Sequence, residues 1–73
     1  WRLVVSPRDH EPRHVHARQG TGRAPEAIIQ LNIDGSTSVR VVERGISRAD
    51  RRQIVAIVDE HFAELVEIWE RVC

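Results

Sequence analysis

Residues 48–72 form a long stretch without glycine or proline, and this stretch constrains the fold more than any other part of the sequence. Its apolar residues recur at intervals of three and four, which places them on one side of an α-helix. They are Ile54, Val55, Val58, Phe62, Leu65, Val66, Trp69 and Val72. Ser47 and Asp50 stand three positions apart at the start, which is close to the capping-box pattern. The sequence therefore predicts one helix at about 48–72.

Four shorter segments precede the predicted helix, and they alternate apolar with polar residues or are short and β-branched, as strands are. They lie at about 1–6, 13–19, 26–34 and 37–44. Asp34-Gly35 between the last two is a strong signal for a tight turn, because both residue types tolerate positive φ. The segments predict two successive antiparallel hairpins that form one sheet.

The predicted fold is a single α+β domain over residues 1–73: an antiparallel sheet of about four strands (two hairpins) with one long C-terminal helix packed on one face. A chain of 73 residues buries only about 60% of the surface that it exposes when unfolded, so we expect a thin core. In that core Phe62 and Trp69 are predicted to pack against Ile29, Leu31, Val39 and Val41. One helix covers one face only, so the other face of the sheet stays available.

The face that the helix leaves uncovered is predicted to be mixed in character. It carries His14, His16, Arg18, Gln30, Asn32, Arg40 and Arg2, with Val4, Ile28 and Val42 among them. Polar residues are ordinary on an antiparallel sheet against solvent. Arginine, histidine and amide side chains with isolated aliphatic ones also suit a partner protein or a nucleic-acid backbone.

Charge and cysteine usage add bounds on the setting of the protein. Eleven basic residues, all arginine, balance eleven acidic ones, which gives no general signal for nucleic-acid binding. Residues 1–46 hold seven arginines and five acids, and residues 47–73 hold four and six. No apolar run approaches the roughly 18 residues that span a membrane. One cysteine, Cys73, is typical of a reducing, cytoplasmic setting.

Three of the four histidines lie within seven residues, in the segment DHEPRHVHARQ at 9–19. Because side chains alternate along a strand, His14 and His16 are expected on one side and Val15 with Ala17 on the other. The apolar pair should take the core side. We therefore predict a solvent-accessible histidine cluster on the side of the sheet opposite the helix, beside the hairpin turn and with Asp9 nearby.

This cluster has three interpretations that the sequence leaves open. His14 and His16 are spaced to bind one divalent metal, with His10 as a third ligand and Asp9 as a ligand or an orienting carboxylate. Alternatively, Asp9 and the histidines brace the turn by hydrogen bonds, and no cofactor is needed. In a third interpretation the imidazoles take part in catalysis or contact a nucleic acid.

The pattern Asp9-His10-x-Pro12-x-His14-x-His16-Ala17 resembles the signature of a family of small bacterial proteins, the domain-of-unknown-function family numbered four-one-six-zero. The later segment EHFAELVEIWERV resembles the helix of the same family, through His61, Glu64, Leu65 and Trp69. The sequence departs from the family pattern at Arg13, where a second proline is usual, and at Val15, where phenylalanine is usual. The resemblance implies an α+β fold, a cytoplasmic location and frequent genomic pairing with another small domain, but no established reaction.

Two hypotheses of different classes follow. The first is a protein-interaction module of a toxin–antitoxin-like pair, which binds a cognate small protein or associates with itself through the open face. The alternative is a metal- or histidine-assisted phosphodiesterase or RNase that uses His10, His14 and His16. The binding residues would be Asp9, His10, His14, His16, Arg18 and Arg40, with nucleic acid as the second class of partner and no role for a membrane.

Overall fold

The computed structural model describes residues 1–6, 10–20 and 25–72. Its elements are β1 (Arg2–Val4), β2 (His14–Arg18), β3 (Glu26–Leu31), β4 (Thr37–Val42), α1 (Arg48–Glu60) and α2 (Phe62–Val72). The strands form one antiparallel sheet in the order β1-β2-β3-β4. The predicted α+β class and the sheet of two hairpins are confirmed, with strands shorter than the predicted ranges. None of the described helices is long and apolar enough to cross a membrane.

The core lies on one face of the sheet, which we call the core face. Alternation along β2 and β3 supplies its buried residues, and α1 and α2 supply the rest from above. These residues are Val15, Ala17, Ala27, Ile29, Leu31, Ile54, Val58 and Leu65. Because α1 contacts both β3 and β4, it covers this face and defines which side of the sheet stays open.

Two local predictions are confirmed by the turn and by the helix cap. In the hairpin between β3 and β4, Gly35 adopts a φ of +91°, and the Gly35 N–H donates to Asn32 O at 3.1 Å. At the start of α1, Ser47 Oγ accepts from the Asp50 N–H, and the Asp50 carboxylate accepts from the Ser47 N–H. Both features need only neighbouring residues, so the sequence predicts them directly.

The prediction of one long helix is wrong, because the helix breaks at His61. This residue has φ −106° and ψ 19°, which are outside helical values, and α2 begins after it. His61 is exposed rather than packed between helix and sheet. No glycine or proline marks the position. The break therefore comes from packing at a distance, since α2 has its own contacts with the core and with β2.

The predicted positions of Val41 and Val42 are also wrong, because β4 contains a bulge. Val39 pairs with Ile29 and Val41 pairs with Ile28, so Arg40 is an extra residue between the two pairs. The bulge reverses the alternation that follows it. Val42 packs against the core, whereas Val41 is 43% exposed on the opposite side.

Candidate functional site

The side of the sheet opposite the core face, which we call the second face, is organised in three rows across the strands. An arginine row joins Arg2, Arg18 and Glu26; an apolar row joins Val4, His16, Ile28 and Val41; a polar row joins His14, Gln30 and Ser38. Each row follows from the strand register, because directly paired residues lie on the same side of a sheet. Three of the six predicted site residues, His14, His16 and Arg18, lie in these rows.

His14 is held by contacts within the chain and is not the exposed residue that was predicted. It is only 9% exposed, and its ring lies 5.3 Å from the ring of Trp69 in α2. His14 Nδ1 is 2.8 Å from Pro12 O, and because a carbonyl only accepts, Nδ1 carries the proton. The prediction assumed a single straight helix, whereas α2 changes direction and reaches this end of β2.

His14 and His16 do lie on the same side of β2, as predicted. Their ring centroids are 5.2 Å apart with the rings edge to face. His16 is half-buried, and its Nδ1 lies 3.4 Å from Glu26 Oε1. The His14–Pro12 contact is of the kind that the turn-bracing interpretation expects, whereas Trp69 and Glu26 belong to α2 and β3.

Glu26 connects the histidines to the arginine row. Arg18 Nε donates to Glu26 Oε2 at 2.7 Å, across the β2–β3 pair. Partial burial alone would raise the pKa of Glu26, but the hydrogen bond and charge of Arg18, together with His16, lower this pKa below its ordinary value of 4.5. Glu26 is therefore a carboxylate near neutral pH, and it neutralises part of this row.

Among the described residues, the predicted metal ligands do not form a complete metal site. His10 is exposed at the start of the 10–20 range, Arg40 is exposed at the bulge, and Asp9 lies outside the described residues. Within residues 1–6, 10–20 and 25–72, no three His, Cys, Asp or Glu side chains lie close enough together to hold a metal ion. The structure thus does not bring His10 to the other two imidazoles, and a metal at His14 and His16 stays a prediction.

A groove of about 720 Å³ opens at the end of the sheet where β2 begins and β3 ends. Its apolar lining comes from Pro12, Leu31, Ile33 and Trp69, and its acidic lining comes from Glu11, Asp34 and Glu70. Ile33, at the hairpin tip, is 98% exposed. We call this site the acidic groove. Sequence reasoning missed it, because its lining comes from three separate parts of the chain.

Arg13 and Asp34 shape the acidic groove through bonds to the backbone and to a neighbouring hydroxyl. The Arg13 guanidinium donates to Leu31 O at 3.4 Å and to Asn32 O at 3.3 Å, so hydrogen bonds to the backbone of β3 and the following turn hold it in place. Asp34 Oδ1 accepts from the Ser36 hydroxyl and the Ser36 N–H, which lowers the pKa of Asp34. The groove therefore keeps a negative rim.

The fold and the second face define a small α+β protein built on an antiparallel meander, with α1 on the core face and exposed side chains of Arg2, Arg18, Ser38 and Val41 on the second face. The chain belongs to the family described as Domain of unknown function (DUF4160), which matches residues 2–70. The resemblance that the histidine and helix segments indicated is thereby confirmed. No curated protein and no solved structure gave a match.

Proposed function

We propose that this protein is a protein-interaction module, one half of a toxin–antitoxin-like pair, and that its second face binds another small protein. The observation that carries the proposal is the apolar row of Val4, His16, Ile28 and Val41, which takes one residue from each of the four strands. The row runs continuously across the sheet. Val41 is exposed and Val4, His16 and Ile28 are partly exposed, which supports contact with a complementary apolar surface.

The bulge in β4 is what completes the apolar row. Without the extra residue Arg40, regular alternation would turn Val41 to the core face and leave Val42 on the second face. The bulge instead places Val41 beside Ile28, where it is 43% exposed. Bulges at sheet edges commonly re-aim a side chain, and here the re-aimed side chain is apolar and faces outward. A partner that covers Val41 removes this surface from water.

The arginine row beside the apolar row sets the chemistry of the partner. Arg2 and Arg18 face each other directly on β1 and β2, and like charges in that arrangement repel. Glu26 offsets Arg18, whereas among the described residues Arg2 donates only to the backbone Gly20 O at 3.3 Å. A partner that presents an apolar strip flanked by a carboxylate satisfies both rows at once.

Binding of such a partner also stabilises a domain of this size. A 73-residue chain has a small core, and a ligand that binds only the folded state raises the unfolding free energy by mass action. The sign of this effect does not depend on the details of the interface. A rise in the melting temperature of the chain on addition of a partner therefore reports binding.

The test uses the small protein encoded next to this chain as the candidate partner, because the family resemblance implies genomic pairing. We expect the mixture to melt at a higher temperature than either protein alone, and titration calorimetry to give a defined stoichiometry. Val41→Glu should weaken binding by about tenfold or more, since it buries a charge in the interface. The matched control is Ile68→Glu, at an apolar residue of α2 that is 40% exposed but lies off the sheet.

Two outcomes would count against the proposal. In the first, the melting temperature of the wild-type chain does not change in the presence of the neighbouring protein. In the second, Val41→Glu and Ile68→Glu weaken binding equally, which would show that the partner does not bind specifically at the second face. Circular dichroism of both variants establishes that each is folded before binding is compared.

A further inference from the structure

We propose that the chain associates with itself head to tail, with the arginine-rich start of α1 of one copy in the acidic groove of the next. This inference does not rest on the second face. It starts from the distribution of charge between the two ends of the sheet. The net charge of the chain is zero, but the fold places arginines around the start of α1 and carboxylates around the acidic groove.

The arginine end consists of Arg44, Arg48, Arg51 and Arg52, in the turn before α1 and its first two turns. All four side chains are exposed. Among residues 1–6, 10–20 and 25–72, none of these guanidinium groups forms a hydrogen bond or an ion pair. Arg48, Arg51 and Arg52 are spaced by three and four, so they lie on one side of the helix.

The strand directions place the acidic groove at the opposite end. β4 runs away from the 32–36 turn, and α1 then returns along it, since the Thr37 hydroxyl donates to Asp59 Oδ1 at 3.0 Å. The acidic end of α1 thus lies by the hairpin turn and its arginine end lies far from it. The length of β3 separates them by roughly 17 Å. This exceeds the roughly 8 Å screening length at physiological salt, so one molecule cannot neutralise its own ends.

The acidic groove offers carboxylates that can bind guanidinium groups of the arginine end. Carboxylates of Glu11, Asp34 and Glu70 line it beside the exposed side chain of Ile33, and they outnumber the one cation of the described lining, Arg13. Within the described part of the chain, its acidic side chains do not converge on a point that would hold a metal ion. Spread carboxylates beside an exposed apolar side chain suit arginine, which combines charge with an apolar stem and a flat guanidinium.

Self-association also explains why the helix charges are placed unfavourably for the isolated chain. Arginines at the N-terminal end of α1 oppose the helix dipole and repel one another at three- and four-residue spacing. A contact that places these arginines against the carboxylates of the acidic groove of another copy offsets this penalty. Because it joins different surfaces, the contact is heterologous and continues into a ring or a chain of copies.

Sedimentation velocity of the full chain over a concentration series tests the proposal. At about 0.05 M salt we expect the average mass to rise with concentration, and at about 0.5 M salt we expect that rise to disappear, because screening is then much shorter-ranged. Arg51→Glu and Glu70→Arg should each weaken association by about tenfold or more. Arg40→Glu and Glu67→Arg are the matched controls, since they make the same charge changes outside the two surfaces.

Mixing the two single variants gives the sharpest result. The arginine end is intact in Glu70→Arg and the groove is intact in Arg51→Glu, so an equimolar mixture should associate although each variant alone does so only weakly. The double variant Arg51→Glu/Glu70→Arg should regain self-association. Val41→Glu should leave self-association unchanged, which separates this proposal from binding at the second face.

Three results would overturn head-to-tail association. One is a wild-type chain that stays monomeric at low salt throughout the series, even if the groove binds an arginine-rich peptide, since the occupant would then be another protein. Another is a mixture of the two single variants that forms no complex. The third is loss of association in the control variants to the same extent as in the test variants.

Discussion

The two ends of the molecule carry opposite charge, and they hold that charge in different ways. At the end with the 32–36 turn, Asp34 and Asp59 accept hydrogen bonds from Ser36 and Thr37. At the start of α1 the arginine side chains are exposed to solvent. They form no ion pair with any other residue that the structure describes. Beneath a formal net charge of zero, arginines outnumber carboxylates at the start of α1, and carboxylates outnumber arginines in the acidic groove. The two ends therefore differ in the contacts that stabilise their charges, and substitutions at each end should change the free energy of unfolding differently.

The largest effect is expected at the acidic end, from Trp69→Ala. Trp69 is 4% exposed and its ring contacts His14, so truncation leaves a cavity between α2 and β2. We expect a loss of about 3–5 kcal/mol in the free energy of unfolding, measured by urea denaturation. Ile68→Ala, at the neighbouring exposed residue, should cost far less. Equal losses for the two variants would show that α2 does not pack through Trp69.

The glycines of the two ends provide a second comparison. Gly35 and Gly45 have φ of +91° and +100°, where an L-residue is strained by about 1–3 kcal/mol. A Cβ at Gly35 meets nothing within 4 Å, whereas at Gly45 it lies 3.2 Å from Pro25 Cγ. Both alanine variants should therefore lower the melting temperature, and Gly45→Ala should lower it more. The opposite order would contradict the tight approach of Pro25 to this turn.

The role of Glu26, the carboxylate of the arginine row, can be tested by the pH dependence of the free energy of unfolding. Its pKa is lowered in the folded state, so its stabilising contribution is complete above the ordinary value of 4.5 and is lost as the pH falls through the lowered value. We expect Glu26→Gln to be less stable than the wild type near neutral pH by under about 1 kcal/mol, and the difference to shrink below about pH 4.5. Arg18→Gln should weaken the same pH dependence. A difference that stays constant down to low pH would contradict the ion pair.

The smallest effect is expected at the arginine end, and it has the opposite sign. Arg51→Glu places a negative charge in the second turn of α1 and removes repulsion from Arg48 and Arg52. We expect it to raise the free energy of unfolding by about 0.5 kcal/mol at low salt, and by less at high salt. Calorimetry at two salt concentrations measures this. A loss of stability would show that the arginines already have a favourable role within the single chain.

Much of the fold was predictable because it depends on neighbours in the sequence. Alternation in β2 places Val15 and Ala17 in the core and His14 with His16 on the other side. Asp34-Gly35 predicts the hairpin turn, and Ser47 with Asp50 predicts the helix start. In each case a few bonds between residues close in the chain decide the conformation.

The acidic groove and the charge separation could not be predicted in the same way. The sequence halves differ by only a few charges, seven arginines and five acids against four and six. The direction of β4 and the return of α1 gather the arginines at one end and the carboxylates at the other. That separation depends on which strand ends meet, and composition does not contain this information.

The sequence by itself determined the α+β class, the meander of strands, the turn and the helix cap, because short-range sterics and hydrogen bonds fix them. Only the tertiary structure decided three features of the surface. These are the bulge at Arg40 that turns Val41 outward, the break at His61, and the contact of Trp69 with His14. Each depends on strand register or helix direction, and both are set by the packing of the whole chain, since local preferences at these positions are weak compared with the sum of distant contacts.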